Sequence, residues 1–169
     1  MHDPNSSKRR AAARAGASIV LMAAALASAG DTGAPVPFPS EYRKWAVVRS
    51  LVVGPESKFF AVNGGFHHYY ANDEAMQGFR TGHFPEGSVV VDERLEMRQE
   101  GGSTFEGSRK SVAVMTKEAE HYQSTGGWGF DVFAGEERAQ GAPGEVRAAC
   151  FSCHSQRKEH DFVFSGFRK

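Results

Sequence analysis

Cysteine is scarce in this chain of 169 residues, and both cysteines lie in one short stretch. With only Cys150 and Cys153 available, a fold stabilised by several disulfides is excluded. A structural zinc site is also disfavoured, because the sequence has no second Cys-x-x-Cys pair and no His-x-x-x-His pair to complete four ligands. Most of the stability of the fold must therefore come from a hydrophobic core.

The sequence also lacks an excess of charge of either sign, since it has 20 Lys and Arg against 20 Asp and Glu. Without residues 1–29, 16 basic residues remain against 19 acidic ones. No basic stripe is present, so we expect neither nucleic acid nor an anionic membrane as a partner. With 40% hydrophobic residues, the composition suits one modest globular domain.

Long apolar runs are missing except near the N-terminus, where residues 15–29 are rich in alanine. Four basic residues precede this run, and Ala27-Ser28-Ala29 at its end has the form of a cleavage site. We therefore predict a signal peptide over residues 1–29, an extended leader over 30–37 and a periplasmic domain over 38–169. A retained membrane anchor is the alternative, but the run is shorter than the ~20 residues of a typical span.

The two cysteines are part of the motif Cys150-Phe151-Ser152-Cys153-His154. This spacing predicts one covalently bound haem c: Cys150 and Cys153 form thioethers with the haem vinyl groups, and His154 ligates the iron. The alternatives are a redox-active Cys-x-x-Cys pair and half of a zinc site. Export agrees with the haem interpretation, because c-type attachment takes place outside the bacterial inner membrane.

The remaining pattern predicts a mainly β domain. We expect strands over residues 46–53, 59–71, 88–97, 104–115 and 128–133. Helices are expected from residue 73, over residues 116–123 and over residues 145–153. The strands 88–97 and 104–115 are predicted to form a hairpin. Gly64-Gly65 interrupts the second strand, which indicates a bulge or a place where a flat group lies close to the backbone.

Four motifs in this order resemble the cytochrome P-460 family, which includes the cytochromes c′-beta. They are residues 80–87 (RTGHFPEG), 126–130 (GGWGF), 150–154 (CFSCH) and 161–164 (DFVF). The resemblance implies a mainly β (α+β) fold with an antiparallel sheet, short helices and a C-terminal haem-attachment helix, unlike the four-helix cytochromes c′. It also implies a homodimer, with His154 as the single protein ligand of the iron.

The resemblance implies two possible activities. In the cytochrome P-460 branch a lysine is cross-linked to the haem, and the protein oxidises hydroxylamine, together with nitric oxide, to nitrous oxide. In the cytochrome c′-beta branch the cross-link is absent, phenylalanines line the pocket, and the protein binds nitric oxide. This sequence has no lysine from Phe59 to Arg109, and His83 occupies a turn position where the family resemblance leads us to expect lysine. Lys58 and Lys110 are the nearest lysines that remain.

Three residues are candidates for catalysis by proton transfer. His83 follows a glycine in the turn and is a candidate iron ligand, hydrogen-bond donor or proton shuttle. Glu106 and Arg109 lie close together on the predicted hairpin, where they would place a carboxylate and a guanidinium over a pocket. The alternatives are an exposed histidine in a polar turn and a solvated strand edge.

Other side chains offer a sixth ligand for the iron. His67 and His68 are adjacent on a predicted strand, so only one of them faces inward. Met76, Met97 and Met115 are alternatives, although methionine more often fills a core. A six-coordinate haem would make the chain an electron carrier. Otherwise we expect hydroxylamine or nitric oxide as the small-molecule ligand and an electron-acceptor protein as a partner.

Overall fold

The computed structural model of the chain describes residues 34–136, 138 and 140–167. The predicted signal peptide, residues 1–29, lies outside the described residues, as does the first half of the predicted leader. The rest of the leader has no regular structure, but Val36 is buried in the core. In the described part of the chain, no helix is long and apolar enough to cross a membrane.

The described residues form five strands, three short α-helices and three 3-10 turns. The strands are β1 (Ala46–Val53), β2 (Gly65–Ala71), β3 (Val89–Glu100), β4 (Ser103–Lys117) and β5 (Trp128–Ala134). The α-helices are α1 (Phe60–Asn63), α2 (Asp73–Thr81) and α3 (Gly144–His154). The 3-10 turns are Tyr42–Lys44, Gln123–Thr125 and Ser155–His160.

The strands form one antiparallel sheet in the order β1-β2-β3-β4-β5, so each strand pairs with the next one along the chain. The long hairpin of β3 and β4 runs from the pair Val89 and Thr116 to the pair Glu100 and Ser103 at the turn. This hairpin and the mainly β antiparallel fold confirm the prediction from the sequence. The helix predicted over residues 145–153 is also confirmed, as α3.

Alternation along the strands gives the sheet two buried faces. One face carries a core cluster that includes Val91, Val112 and Tyr42. The other carries a cluster around Val90 and Trp128, against which Cys150 and Phe151 of α3 pack. We call this second face the α3 face. It is the face on which the functional site lies.

Helix α2 confirms its predicted start. The side-chain Oδ1 of Asn72 accepts a hydrogen bond from the N–H of Ala75 at 3.0 Å and a second one from the N–H of Val89 at 2.9 Å. The first bond caps the helix, and the second ties the cap to β3. The helix ends at Gly82, whose φ of 82° is the left-handed conformation that glycine tolerates best.

The helix predicted over residues 116–123 is wrong. β4 instead continues to Lys117, because Thr116 pairs with Val89 on one side and with Gly129 on the other. Strand pairing on both sides outweighs the weak capping signal of one threonine.

The strand predicted over residues 59–71 is wrong in its first half, where helix α1 is found. β2 begins at Gly65, which has a φ of 133°. A Cβ atom at Gly65 would lie only 2.2 Å from the carbonyl oxygen of Leu95. The group close to the backbone at Gly65 is therefore a carbonyl of the neighbouring strand β3, not the flat group that was expected.

Candidate functional site

Helix α3 carries the two cysteines and the histidine of the Cys-x-x-Cys-His motif at its C-terminal end. Cys150 and Cys153 are not joined in a disulfide. Cys150 is half-buried against the core of the α3 face, whereas Cys153, one turn further on, is exposed. Burial raises the pKa of the Cys150 thiol. A thiol-based redox pair needs a thiolate of lowered pKa, so this environment disfavours the redox interpretation of the motif.

The imidazole of His154 is fixed in orientation by the segment that follows α3. Its Nδ1 lies 2.7 Å from the carbonyl oxygen of Phe162. Because a carbonyl only accepts, Nδ1 carries the proton and donates it, and Nε2 keeps its lone pair. Burial lowers the pKa of His154. The neutral imidazole with a free Nε2 is the form that ligates a metal.

The carbonyl of Phe162 is held in place by an unusual backbone. Asp161 and Phe162 have φ values of 51° and 64°, which non-glycine residues rarely adopt. The Asp161 carboxylate accepts hydrogen bonds from Lys117 Nζ at 2.7 Å, Trp128 Nε1 at 3.1 Å and the Phe84 N–H at 3.0 Å. These three donors come from three different parts of the sheet and its turns, so they anchor the turn that holds His154.

The glycine motif 126–130 makes room for this turn. A Cβ atom at Gly126 would lie 2.4 Å from the ring of Phe162, and one at Gly129 would lie 2.4 Å from the ring of Tyr122. Gly126 also has a φ of 70°. The motif therefore allows the ring of Phe162 to pack directly on the backbone next to Trp128.

A cavity of about 220 Å³ opens on the α3 face beside Cys150 and His154. One part of its wall is apolar, formed by the side chains Val90, Met115, Phe130, Val163 and Phe164. The rings of Phe130 and Phe164 lie 5.0 and 5.1 Å from the imidazole of His154. Another part of the wall carries the polar side chains of Tyr69, Asp92 and Arg94, which we call the polar wall. Asp131 and Ser165 also line the cavity.

The polar wall is hydrogen-bonded to its surroundings. Asp92 Oδ2 accepts a bond from Arg94 Nε at 2.8 Å, and its Oδ1 lies 2.9 Å from Nδ1 of His67. Arg94 also donates from Nη1 to the side-chain oxygen of Asn63 at 3.0 Å. Burial, together with the negative charge of Asp92, raises the pKa of Tyr69 to about 12. Tyr69 therefore stays a neutral hydroxyl at physiological pH.

Sequence reasoning missed the polar wall. Tyr69 and Asp92 are register partners on β2 and β3, and Arg94 follows two residues later on the same face. The only signal for it in the sequence was the alternation of side chains between the two faces of the strands, over residues 65–71 and 90–94. That alternation places these side chains with His67 once the pairing of β2 with β3 is known.

The structure does not bring the three predicted catalytic residues to this cavity. His83 is exposed in the turn after α2. Glu106 is exposed on the opposite face of the sheet, where its Oε1 lies 2.6 Å from Nε2 of His68. The Arg109 guanidinium is buried and pairs with Glu136 at 2.9 Å. Their catalytic roles stay predictions.

The predicted sixth ligands are also separated by the fold. His67 is buried and its Nδ1 bonds to Asp92 of the polar wall, whereas His68 lies on the opposite face, as their alternation predicted. Met115 lines the cavity, whereas Met76 lies in the core of the α3 face. Met97 belongs neither to the cavity wall nor to that core.

The residues at this site fit a covalently bound haem. The two thiols are spaced by one turn of α3, the histidine between Phe130 and Phe164 has Nε2 free, and apolar side chains line the adjoining cavity. Zinc fits less well: among residues 34–136, 138 and 140–167, no group of three or more His, Cys, Asp or Glu is placed to hold a metal ion. The geometry thus favours haem over the alternatives that the sequence left open.

The comparisons with known proteins agree with the geometry. The sequence model of the cytochrome P460 family matches residues 39–165, a range that includes every residue of the cavity wall and the whole Cys-x-x-Cys-His motif. A search of curated proteins finds no match. Membership in this family implies a haem protein, and Cys150 and Cys153 fit its attachment pattern. On the match of residues 39–165, the chain belongs to the cytochrome P460 family.

Proposed function

We propose that this chain is a periplasmic c-type haem protein that oxidises hydroxylamine, together with nitric oxide, to nitrous oxide. The balanced reaction is NH2OH + NO → N2O + H2O + H⁺ + e⁻. The electron passes to an acceptor protein and the proton to solvent. The observation that carries the proposal is the fixed imidazole of His154 beside a cavity that has both an apolar and a polar wall.

In this proposal the residues of the chain attach the haem, orient it and form the cavity beside it. Cys150 and Cys153 would bind the haem, and His154 would ligate its iron through Nε2. The haem iron supplies the redox chemistry when it is bound. The rings of Phe130 and Phe164 pack against the imidazole and shield it in part from water, which strengthens electrostatic interactions beside it.

The polar wall gives the cavity groups that bind and orient a small polar molecule. Hydroxylamine has both N–H and O–H donors, and the Asp92 carboxylate is an acceptor at the cavity wall. Tyr69 stays a neutral hydroxyl because burial, with the charge of Asp92, raises its pKa to about 12. This mixture of a carboxyl group and a neutral hydroxyl suits a reaction in which protons move.

The location and partners are part of the same proposal. The signal peptide predicted over residues 1–29 supports export to the periplasm. A one-electron acceptor protein is required by the balance of the reaction. By resemblance to the family we also propose a homodimer.

Steady-state turnover tests the enzymatic proposal. The haem-loaded protein is mixed with hydroxylamine and nitric oxide under anaerobic conditions, with a dye as electron acceptor, and nitrous oxide is measured by gas chromatography. We expect one electron transferred to the dye for each nitrous oxide formed. Absence of nitrous oxide from fully haem-loaded protein would contradict the proposed activity.

A second candidate function is the reversible binding of nitric oxide without turnover. It is favoured because no lysine is found among the described residues that line the cavity, while Phe130 and Phe164 do line it. Lys110 instead donates to the carbonyl oxygen of Gly64, and Lys58 lies over the ring of Phe59. A tight nitric oxide complex with an ordinary c-type spectrum and no turnover would establish this function.

A six-coordinate electron carrier is the third candidate, because Met115 lines the cavity. Its signature would be a low-spin spectrum that neither carbon monoxide nor nitric oxide changes. A spectrum that responds to either gas would contradict it.

A further inference from the structure

A buried carboxylate bonded to two phenols lies on the face of the sheet opposite the α3 face. Glu93 on β3 is only 2% exposed. Its Oε1 accepts a hydrogen bond from the hydroxyl of Tyr42 at 2.7 Å, and its Oε2 accepts one from the hydroxyl of Tyr70 at 3.3 Å. The guanidinium of Arg43 forms an ion pair with the same carboxylate. We call these four residues the Glu93 cluster.

The cluster joins two protonated phenols to one ionised acceptor. Burial raises the pKa of the Glu93 carboxyl, but its hydrogen bonds with Arg43 and the two phenols outweigh burial and lower it. The phenols keep their protons at neutral pH. Burial, followed by the negative charge of Glu93, raises the pKa of Tyr70 to about 12, and burial also raises the pKa of Tyr42.

This arrangement is the one that a redox-active tyrosine requires. A phenol that has lost an electron is a strong acid, so its oxidation at neutral pH needs a base within hydrogen-bond reach to take the proton. The Glu93 carboxylate, 2.7 Å from the hydroxyl of Tyr42, is such a base. The loss of an electron and a proton from Tyr42 would then leave a neutral radical and a neutral carboxyl group in the core.

Three tyrosines connect the cluster with the cavity of the α3 face. Tyr69 lines that cavity, whereas the next residue, Tyr70, packs in the core of the opposite face, because side chains alternate along β2. Consecutive Cα atoms are only ~3.8 Å apart. The rings of Tyr70 and Tyr42 lie edge to face, with centroids 5.3 Å apart. These residues, three of the four tyrosines in the sequence, form a continuous series through the sheet.

The far end of this series opens to solvent. Arg43, Tyr70 and Glu93 line a groove of about 650 Å³ on the opposite face, together with polar side chains that include Ser50 and His68. A small water-soluble reductant in this groove would contact Tyr70 without entering the cavity of the α3 face.

Trp128 is the competing site for oxidation, because it lies in the core of the α3 face and its indole N–H donates to Asp161 at 3.1 Å. Its side chain is 0% exposed, however, so a radical on Trp128 would have no contact with a reductant in solution. Tyr70 has this contact, since it lines the groove.

We propose that Tyr42, Tyr70 and Glu93 form a redox-active tyrosine site, which discharges the oxidising equivalents that remain when hydrogen peroxide reacts at the haem. The inference rests on the open coordination position of the haem in the proposed function, but not on hydroxylamine turnover. Tyr42 gives up one electron, which passes through Tyr70 and Tyr69 to the cavity, and its proton moves to Glu93. A small one-electron donor of the ene-diol class in the groove returns the electron, and Glu93 returns the proton. Two donor molecules, each losing one electron and one proton, thereby reduce one H2O2 to two molecules of water.

Electron paramagnetic resonance of the haem-loaded ferric protein, frozen after mixing with hydrogen peroxide, tests this inference. The radical signal of the wild type should narrow when the protein contains ring-deuterated tyrosine, which distinguishes tyrosine from Trp128 as the carrier. The double variant Tyr42→Phe, Tyr70→Phe should lose the tyrosyl signal. Glu93→Gln keeps the size of the side chain but has no base, and it should lose the signal too.

Tyr122→Phe is the matched control. Tyr122 is 3% exposed in the same core, but the phenols bonded to Glu93 are those of Tyr42 and Tyr70. This variant should keep the wild-type signal at equal haem content. Peroxide-dependent oxidation of ascorbate, followed by its absorbance, should fall several-fold in the double variant and keep the wild-type rate in Tyr122→Phe. The double variant decides the question if Glu93→Gln does not load haem.

The outcomes separate this inference from the proposed function. A signal that ring deuteration does not narrow, a tyrosyl signal that persists in the double variant, or the absence of any radical from the wild type would overturn the tyrosine site. A signal that persists in Glu93→Gln would overturn the role of Glu93 as the proton acceptor. Absence of nitrous oxide from wild type that forms the tyrosyl radical would contradict the proposed activity and leave the tyrosine site supported.

Discussion

Asp161 anchors the turn that orients His154, and replacing it with asparagine should destabilise the fold measurably. The Asp161 carboxylate accepts from Lys117, Trp128 and the Phe84 N–H, and its side chain is 17% exposed. Asparagine tolerates the left-handed backbone at this position, so Asp161→Asn removes the charge without adding backbone strain. The variant therefore isolates the interactions of the carboxylate.

The magnitude follows from those three donors. An asparagine side chain offers one acceptor oxygen in place of two, so at least one buried donor loses its partner at a cost of about 1–3 kcal/mol. Lys117 also loses its counter-charge in a part of the protein with little solvent. We expect the free energy of unfolding to fall by about 2–4 kcal/mol in total.

The pH dependence of this difference has a defined sign. Burial raises the pKa of Asp161, but the hydrogen bonds from Lys117, the Phe84 N–H and Trp128 outweigh burial and lower it. A carboxyl whose pKa is lower in the folded state stabilises the protein above its unfolded pKa, and this contribution is lost as the pH falls through the folded pKa. The free energies of unfolding of the wild type and of Asp161→Asn should therefore show their full difference at neutral pH. This difference should shrink as the pH falls below about 4.

Denaturation in guanidinium chloride, followed by circular dichroism at several pH values, measures this difference on the haem-loaded proteins. Glu159→Gln is the control, because Glu159 is an exposed acid two residues away, and it should change stability by less than about 0.5 kcal/mol. A difference between wild type and Asp161→Asn that is below about 0.5 kcal/mol at neutral pH, or that does not shrink in acid, would refute this reasoning.

Two further substitutions test the packing on either face of the sheet. Gly78→Ala should destabilise the protein by about 1–3 kcal/mol despite the better helix propensity of alanine, because the new Cβ would lie 2.3 Å from the buried ring of Phe84, which packs against Trp128. Equal or higher thermal stability of Gly78→Ala would contradict this. Tyr42→Phe should cost about 1–2 kcal/mol, since the Tyr42 hydroxyl donates to the buried Glu93 carboxylate at 2.7 Å. An unchanged denaturation midpoint would show that this bond is dispensable.

The sequence predicted those parts of the fold that depend on local patterns. The β3–β4 hairpin follows from two strands of alternating residues around a Gly-Gly turn, and the start of α2 follows from the cap formed by Asn72. Helix α3 and its three motif residues follow from spacing alone. In each case a few neighbouring residues contain the whole signal.

The parts that were missed depend on contacts between distant residues. Thr116 looks like a helix cap until β3 and β5 both pair with it. Gly65 requires its backbone conformation because the carbonyl of Leu95, thirty positions away, approaches it. The polar wall arises only when β2 and β3 align Tyr69 with Asp92. His83, considered on its own, carries no information about how β2 pairs with β3.

The most direct test of the central claim is the mass of the tryptic peptide 148–157 from protein exported in a host that matures c-type cytochromes. This peptide contains Cys150, Cys153 and His154. We predict that it carries the mass of one haem, that neither thiol reacts with an alkylating reagent, and that Cys150→Ala and Cys153→Ala each leave a single thioether. A peptide of unmodified mass with two alkylatable thiols would contradict the assignment of this chain as a c-type haem protein.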